Sequence, residues 1–198
     1  MKHLVVLVIT YFCALSASAS LITLDTRALQ FNPAPDYEAS WNLHTSAITS
    51  TSLAAFTNIQ SGNNSFSHLS VEFDFGSVTT AEFQFGLDAG FGASISLDSS
   101  LLTTDTTDIW WSLNWGHGDV LAVNLNSLST GGHELDLYWA EGCCNGPSSG
   151  RFSTDGGNTY QDLSVANLDA AKVPEPTVIM LMGAGLFGMG LVRRKIRK

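Results

Sequence analysis

Two adjacent cysteines, Cys143 and Cys144, have the most distinctive chemistry in the sequence. In an oxidising compartment such a pair tends to form a disulfide. Adjacent cysteines can bond only to each other, in a small ring, or to another chain. A vicinal disulfide would form a rigid, apolar turn that can stack against a ligand, or it would only rigidify its loop. Zinc is disfavoured, because the nearest histidine is His133 and no second cysteine pair completes a tetrahedral site.

The segment 108–115 is rich in aromatic residues and predicts a strand. Side chains alternate between the two faces of a strand, so one face is predicted to be core: Ile109, Trp111, Leu113 and Trp115. Trp110 shares the other face with Ser112 and Asn114. An aromatic ring beside polar groups can stack on a sugar. The alternative is that Trp110 packs under a loop.

The predicted ligand-binding set consists of Trp110, Asp88, Asp98, Glu141 and Asn145. Whether a metal binds stays open at this point.

The sequence predicts that the protein is not an enzyme. No catalytic residue is assigned, because His44, His68, His117 and His133 lie in no recognisable catalytic motif. Glu134 and Glu141 could form a glycosidase pair. That pairing is weak, since Glu134 falls on a predicted strand and Glu141 in a predicted loop.

Residues 153–160 match the Asp-box pattern, Ser-x-Asp-x-Gly-x-Thr-aromatic. Asp155 is predicted to cap a turn through its own backbone, and Gly157 to adopt a positive φ. The motif is structural and carries no activity.

Alternating apolar and polar residues predict a series of strands, at 69–75, 81–87, 93–98, 108–115, 120–126 and 133–139. The first two are expected to pair as a hairpin across Gly76-Ser77. Residues 44–58 are ambiguous between a loop, an edge strand and a short helix. Short strands separated by glycine-rich turns indicate an all-β fold, a single antiparallel β-sandwich or jelly roll.

The first 19 residues predict a secretory signal peptide. Lys2 precedes an apolar run of about a dozen residues, and the segment closes on Ala17-Ser18-Ala19. Cleavage by signal peptidase is expected after Ala19.

Residues 172–198 predict a second targeting signal. Pro174, Glu175 and Pro176 precede an apolar transmembrane helix over 178–192. The basic tail that follows includes Arg193, Arg194 and Lys195, and such a cluster stays on the cytoplasmic side of a membrane. Fifteen apolar residues are marginal for permanent spanning, which favours a processed anchor over an ordinary one.

The segment between the two signals, residues 20–171, has the size of one domain and is strongly acidic. It contains 17 acidic residues against two basic ones, Arg27 and Arg151, a net charge of −15. Such a surface repels nucleic acid. It is compatible with neutral sugars, divalent cations or a salty environment.

The C-terminal order of Val-Pro-Glu-Pro, glycine-rich apolar helix and basic end resembles the PEP-CTERM sorting signal. The resemblance covers residues 173–198 and implies an exosortase-type membrane protease as a partner. It implies an inner-membrane-anchored intermediate in a Gram-negative, exopolysaccharide-producing bacterium. Cleavage near Pro-Glu-Pro would then bring the protein to the cell surface or extracellular matrix.

A second resemblance covers residues 88–146. The Leu87–Gly92 loop, Trp110-Trp111, Gly131–Leu135 and the Cys-Cys-x-Gly sequence ending at Gly146 are similar to the CCXG type of PEP-CTERM protein. Much of this order also resembles the protective-antigen-type β-sandwich of adhesins and glycosidases. Some members of that fold bind sugars through calcium held by adjacent aspartates, whereas the aspartates here are isolated.

Together these features predict an exported surface or matrix protein whose domain binds polysaccharide without catalysis, through residues 141–146 and Trp110. A structural matrix or coat protein that binds no small ligand is the alternative, and a glycan-active enzyme is the third hypothesis. Binding predicts an exposed Trp110 near the cysteine loop. The structural hypothesis predicts that both are buried or far apart.

Overall fold

The computed structural model describes residues 19–76 and 80–172. The signal peptide up to residue 18, including Ala17, lies outside the described residues. So do the helix over 178–192 and the sorting residues from Pro174 to Lys195. Within the described residues, no helix is long and apolar enough to cross a membrane.

The described chain consists mainly of β-strands, with two short helices. The elements are β1 (Leu21–Ala28), α1 (Tyr37–Leu43), β2 (Thr49–Ser52), β3 (Ile59–Gln60), β4 (Ser65–Phe73), β5 (Thr80–Gly86), β6 (Asp88–Ala89), β7 (Ala93–Leu97), β8 (Ser100–Asp105), β9 (Ile109–Trp110), β10 (Leu121–Asn126), β11 (His133–Glu141), β12 (Pro147–Ser153), β13 (Gln161–Asp162) and α2 (Val165–Ala170). The expected all-β class is confirmed.

The strands form a sandwich of two antiparallel sheets. The first has six strands in the order β2-β1-β4-β11-β7-β8. The second has five, in the order β10-β5-β12-β13, with β3 also paired to β12. A small third sheet pairs β6 with β9. The predicted sandwich architecture is therefore correct.

The core lies between the two large sheets and follows from the period-two pattern of their strands. The central strand β4 buries Leu69 and Val71, and β5 faces it with Phe83 and Phe85. Burying one such side chain contributes about 1.5–3 kcal/mol. Phe83 also stacks on Phe152 of β12, with ring centroids 5.8 Å apart.

A second, smaller apolar cluster lies on the outer face of the six-stranded sheet. Asp36 is the N-cap of helix α1, and its carboxylate accepts the backbone N–H of Ala39 at 2.9 Å. The helix packs Tyr37 and Trp41 against Phe66 of β4. This helix covers one end of the sheet and leaves the rest of that face to polar side chains.

The predicted hairpin of residues 69–75 with 81–87 is wrong. β4 pairs with β1 and β11 in the six-stranded sheet, whereas β5 pairs with β10 and β12 in the other. The two segments face each other across the core, with the rings of Phe73 and Phe83 5.2 Å apart. Alternation identifies the buried face of a strand but not its hydrogen-bonding partner.

The predicted strand over 108–115 is also too long. Only Ile109–Trp110 forms a strand. Ser112 and Leu113 have φ of 51° and 58°, in the left-handed region that ends an extended strand. Ile109 and Trp111 are buried as expected, but Leu113 is 62% exposed instead of lying in the core.

Candidate functional site

The cysteine loop, residues 142–146, connects the two sheets at one end of the sandwich, here called the tip. It follows β11 of the six-stranded sheet and precedes β12 of the five-stranded sheet. The tip also contains the β6–β9 pair, in which Asp88 lies directly opposite Trp110. Four of the five predicted ligand-binding residues therefore lie at the tip: Trp110, Asp88, Glu141 and Asn145.

Cys143 and Cys144 form the vicinal disulfide. Cys144 and Asn145 have φ of 82° and 46°, so the backbone reverses sharply after the bond. Asn tolerates this left-handed conformation better than most residues. The Asn145 side chain accepts the backbone N–H of Gly62 at 2.6 Å, which ties the cysteine loop to the turn before β4.

Backbone hydrogen bonds fix the same loop at both of its ends. Asn64 N–H donates to the Gly142 carbonyl at 3.1 Å, and Ser61 N–H donates to the Gly146 carbonyl at 3.0 Å. The loop is therefore a preorganised surface, which lowers the entropy that ligand binding would cost.

Two buried carboxylates support the loop from below. Glu141 is 3% exposed and accepts the N–H of Cys143 at 2.6 Å and the N–H of Gly90 at 2.7 Å. Asp88 is 5% exposed and accepts the N–H of Gly146. Glu141, at the end of β11, is thus bonded to the β6 region through Gly90. Asp88 of β6 is bonded to the cysteine loop through Gly146. Both bonds join segments that are distant in sequence.

Burial shifts the pKa values of both carboxyl groups in the same direction. It raises the pKa of Glu141, and the neighbouring charge of Asp88 adds to the rise, while the backbone N–H groups of Gly90 and Cys143 oppose it. Burial likewise raises the pKa of Asp88, against the opposing hydrogen bond from Gly146. Ionising both groups together is therefore costly.

Trp110 lies on the surface of the tip with its side chain 47% exposed. Its backbone N–H donates to the Asp119 carboxylate at 3.0 Å, which holds β9 to the following loop. Its ring reaches the cysteine loop, because a Cβ built on Gly146 would lie 2.6 Å from Trp110 Cζ3 and 2.5 Å from Asp88 Oδ2. Only glycine fits at position 146, which gives a physical reason for the glycine of the Cys-Cys-x-Gly sequence.

The fifth predicted residue, Asp98, lies at the opposite end of the sandwich. Its carboxylate accepts the N–H of Glu134 at 3.0 Å and contacts His133 Nδ1 at 2.8 Å, so it caps the start of β11. Burial opposes ionisation, but these two hydrogen bonds outweigh it and lower the pKa of Asp98. With Glu72 and Asp74 it lines an open pocket of about 260 Å³. Since a strand rises about 3.3 Å per residue, the length of β11 separates Asp98 from the tip.

The suggested glycosidase pair is separated in the same way. Glu134 and Glu141 occupy the two ends of β11, roughly 23 Å apart at the usual rise of a strand. Glycosidase carboxyl pairs are about 5 to 9.5 Å apart. Glu134 and Glu141 therefore do not form such a pair.

The Asp-box prediction is confirmed. Asp155 accepts the hydroxyl of Thr159 at 2.6 Å, and its backbone N–H at 3.0 Å. These bonds, together with that from Ser153, lower the pKa of Asp155 to about 2. Gly157 has φ of 82°.

Sequence reasoning missed the contribution of Asp119 and of Gly62 to the tip. Neither has a signal in the sequence, because each is joined to the tip by one hydrogen bond outside its own turn, over 9 positions for Asp119 and 83 for Gly62.

Comparison with known proteins identifies the C-terminal segment and the fold. Residues 172–197 match the PEP-CTERM protein-sorting motif. The motif implies a secreted protein with a C-terminal membrane anchor that is processed for surface export. Comparison of the chain with curated proteins gave no significant match.

The domain is a PA14-like β-sandwich. It is similar to the PA14 domain of the MpAFP antifreeze protein, with 15% identity, a TM-score of 0.51, and coverage of 75% of this chain and 88% of the other. It is also similar to a PA14 sugar-binding domain from an RTX adhesin, with 9% identity, a TM-score of 0.50, and coverage of 75% and 97%. The Epithelial Adhesin 9 A domain of Candida glabrata, in complex with Galb1-3GlcNAc, has 10% identity and a TM-score of 0.49, over 74% of this chain and 90% of that one. At these identities the similarity to the two PA14 domains defines the fold alone.

Proposed function

We propose that the domain binds polysaccharide without catalysis, at a site formed by Trp110 and the cysteine loop. One observation carries this proposal: the half-exposed Trp110 ring lies against Gly146, in the same patch as the Cys143–Cys144 disulfide. Binding predicts an exposed Trp110 near the cysteine loop, whereas a purely structural role predicts that the two features are buried or far apart.

The chemistry of the tip suits a sugar. An exposed indole face can stack on the apolar face of a pyranose ring, and the disulfide offers a second apolar surface beside it. Asn145 and Asp119 lie at the edges of the patch, where hydroxyl groups of a ligand would need polar partners. The PA14 sugar-binding domain from an RTX adhesin has a similar fold, and this similarity supports the assignment.

The charge of the domain narrows the ligand class. Among the described residues Arg27 donates to the carbonyls of Trp41 and Ser46, and Arg151 lies over the Trp115 and Tyr160 rings. Arg27 lies at the tip end of β1, where it pairs with Phe66, but these carbonyls take up its guanidinium, as the two rings take up that of Arg151. An acidic site without a fixed cation favours a neutral polysaccharide over an anionic one.

The tip carboxylates do not fit calcium. Calcium takes six to eight oxygen ligands, but both oxygens of Glu141 and one oxygen of Asp88 already accept backbone N–H groups. Within the described residues no group of three potential metal ligands occurs. Binding is therefore proposed to be independent of calcium.

The proposal also includes the route by which the protein is exported. The sorting motif supports recognition by an exosortase-type protease at the inner membrane of a Gram-negative bacterium, after signal peptidase has removed residues 1–19. The processed protein would then reach the cell surface or the matrix.

The binding proposal is tested by a glycan array followed by calorimetry on the exported protein. Trp110→Ala should weaken binding roughly two- to tenfold, since stacking on one aromatic ring contributes about 0.5–1.5 kcal/mol. Leu113→Ala is the matched control, because Leu113 is a large apolar side chain on the same segment and 62% exposed. EDTA should have no effect. Equal affinity of Trp110→Ala and wild type would refute the assigned site, and an absence of binding to any glycan would favour the structural hypothesis.

A further inference from the structure

The described domain begins beside the point where it ends. The backbone N–H of Ser20 donates to Asp169 Oδ1 at 2.9 Å. Ser20 immediately precedes β1, and Asp169 lies in the last turn of α2. The hydrogen bond therefore joins residues 149 positions apart.

The contact is built into the fold. Ser20 is only 5% exposed, and the strand that follows it pairs with both β2 and β4. Asp169 also forms an ion pair with Lys172, at 2.9 Å. The Lys172 ammonium and the Ser20 N–H together lower the pKa of Asp169 to about 2, so this carboxylate is charged at any physiological pH.

We propose that signal peptidase makes Ser20 the first residue of the mature chain, and that its new α-ammonium group forms an ion pair with Asp169. Hydrolysis of the Ala19–Ser20 amide consumes one water, leaves a carboxylate on Ala19 and an amine on Ser20, and the amine takes up a proton. A neutral N–H donor is thereby replaced by a charged one at the same position, and charge-assisted hydrogen bonds are the stronger kind.

The burial of Ser20 also implies an order for signal removal and folding of the domain. Once β1 is paired, the Ala19–Ser20 bond is next to a buried residue, and cleavage there would require local unfolding. Signal removal therefore precedes closure of the domain. The ion pair then forms three residues before the sorting motif, which begins at residue 172, so maturation of the N-terminus stabilises the helix from which the C-terminal signal starts.

The test compares two chains that both end at Lys198, are purified in the same detergent, and differ only in beginning at Ser20 or at Ala19. The Ser20 chain should have the higher urea midpoint at pH 7, by about 0.3–1 M for an ion pair of ordinary strength. The carboxylate raises the pKa of the α-amino group above its unfolded value of about 7.7–8.0. The advantage should therefore be complete below that value and disappear as the pH rises through the folded pKa.

Asp169→Asn should abolish the difference between the two chains, because the charged partner is gone. Equal midpoints at pH 7, a difference that persists in Asp169→Asn, or a difference that does not depend on pH would overturn the proposal. Should Asp169→Asn fail to fold, the pH dependence of the two wild-type chains decides. Mass spectrometry of the exported protein gives an independent test, which requires Ser20 as the first residue. Glycan binding at the tip is unaffected by either outcome.

Discussion

The buried carboxylate of Asp88 accepts the backbone N–H of Gly146, a residue 58 positions further along the chain. This bond fixes the distance between the β6–β9 pair, which carries Trp110, and the cysteine loop. The exposed patch at the tip thus depends on a hydrogen bond beneath it, and changes at either residue should act on stability and on binding together.

Gly146→Ala should destabilise the protein by about 1–3 kcal/mol, because the added methyl group would overlap Asp88 and Trp110. Urea unfolding measures the loss, and calorimetry should show weaker glycan binding. Gly118→Ala is the matched control, since nothing lies within 4 Å of a Cβ at that position. A Gly146→Ala protein as stable as Gly118→Ala would contradict the packing described for the tip.

The raised pKa of Glu141 predicts a pH dependence of stability. Because the folded pKa lies above the ordinary value of 4.5, the contribution of this group is complete below the unfolded pKa and falls as the pH rises through the folded one. The pKa values of Asp98, Asp155 and Asp169 are lowered instead. Their contributions to stability therefore grow as the pH rises. The measurement is therefore the difference in unfolding midpoint between wild type and Glu141→Gln, across pH 3–8.

We expect wild type to lose stability relative to Glu141→Gln as the pH rises through this range. Glu141→Gln will lower stability at every pH, since an amide cannot accept both backbone hydrogen bonds. Only the slope of the difference tests the pKa. A flat difference would show that Glu141 titrates normally in the folded protein.

Replacing both cysteines, Cys143→Ser with Cys144→Ser, should affect binding more than stability. The entropy that a disulfide removes from the unfolded chain grows with the length of the loop it closes, and this loop contains no intervening residue. Losing the fixed turn should weaken glycan binding about tenfold, the cost of ordering one or two further groups. Mild reduction of the wild type should reproduce the effect and add two hydrogens to its mass. Unchanged affinity would show that the disulfide only rigidifies its loop.

Arg151→Lys should destabilise the outer face of the five-stranded sheet by about 1–2 kcal/mol. The guanidinium lies 4.4 Å from the Trp115 ring centroid and 4.0 Å from that of Tyr160, while its Nε donates to Gln84 at 2.8 Å. Lysine keeps the charge but lacks the planar group that stacks between two rings. Thermal unfolding of Arg151→Lys and Arg151→Ala checks this, and Arg151→Lys matching wild type would show that charge alone suffices.

The strands that could be predicted from the sequence are those with alternating apolar residues. β5, β7, β10 and β11 each follow such a pattern and were placed correctly. β12 was missed, because its core positions include Gly150, which fits against Phe56 and Leu163, and its buried Ser148 is paired with Ser61. A strand that packs through glycine and hydrogen-bonded serine has no apolar period to detect.

The site could be predicted residue by residue but not as an arrangement. The cysteine pair and Trp110 are conspicuous because of their residue types. Whether Trp110 is exposed depends on the pairing of β6 with β9, and the grouping of Asp88 with Glu141 depends on contacts across 53 positions of the chain. Asp98 belongs to the predicted set but lies beside the start of β11, at the far end of that strand from the tip.

The contact between Ser20 and Asp169 has a consequence for how the protein is displayed. β1 and β11 place the start of the domain at the end opposite the tip, since Leu21 pairs with Glu72, which in turn pairs with Glu134. The sorting segment leaves from that same base. Trp110 therefore lies at the end of the domain farthest from the residue at which the sorting motif begins, so removal of that motif would leave the surface of the tip unchanged.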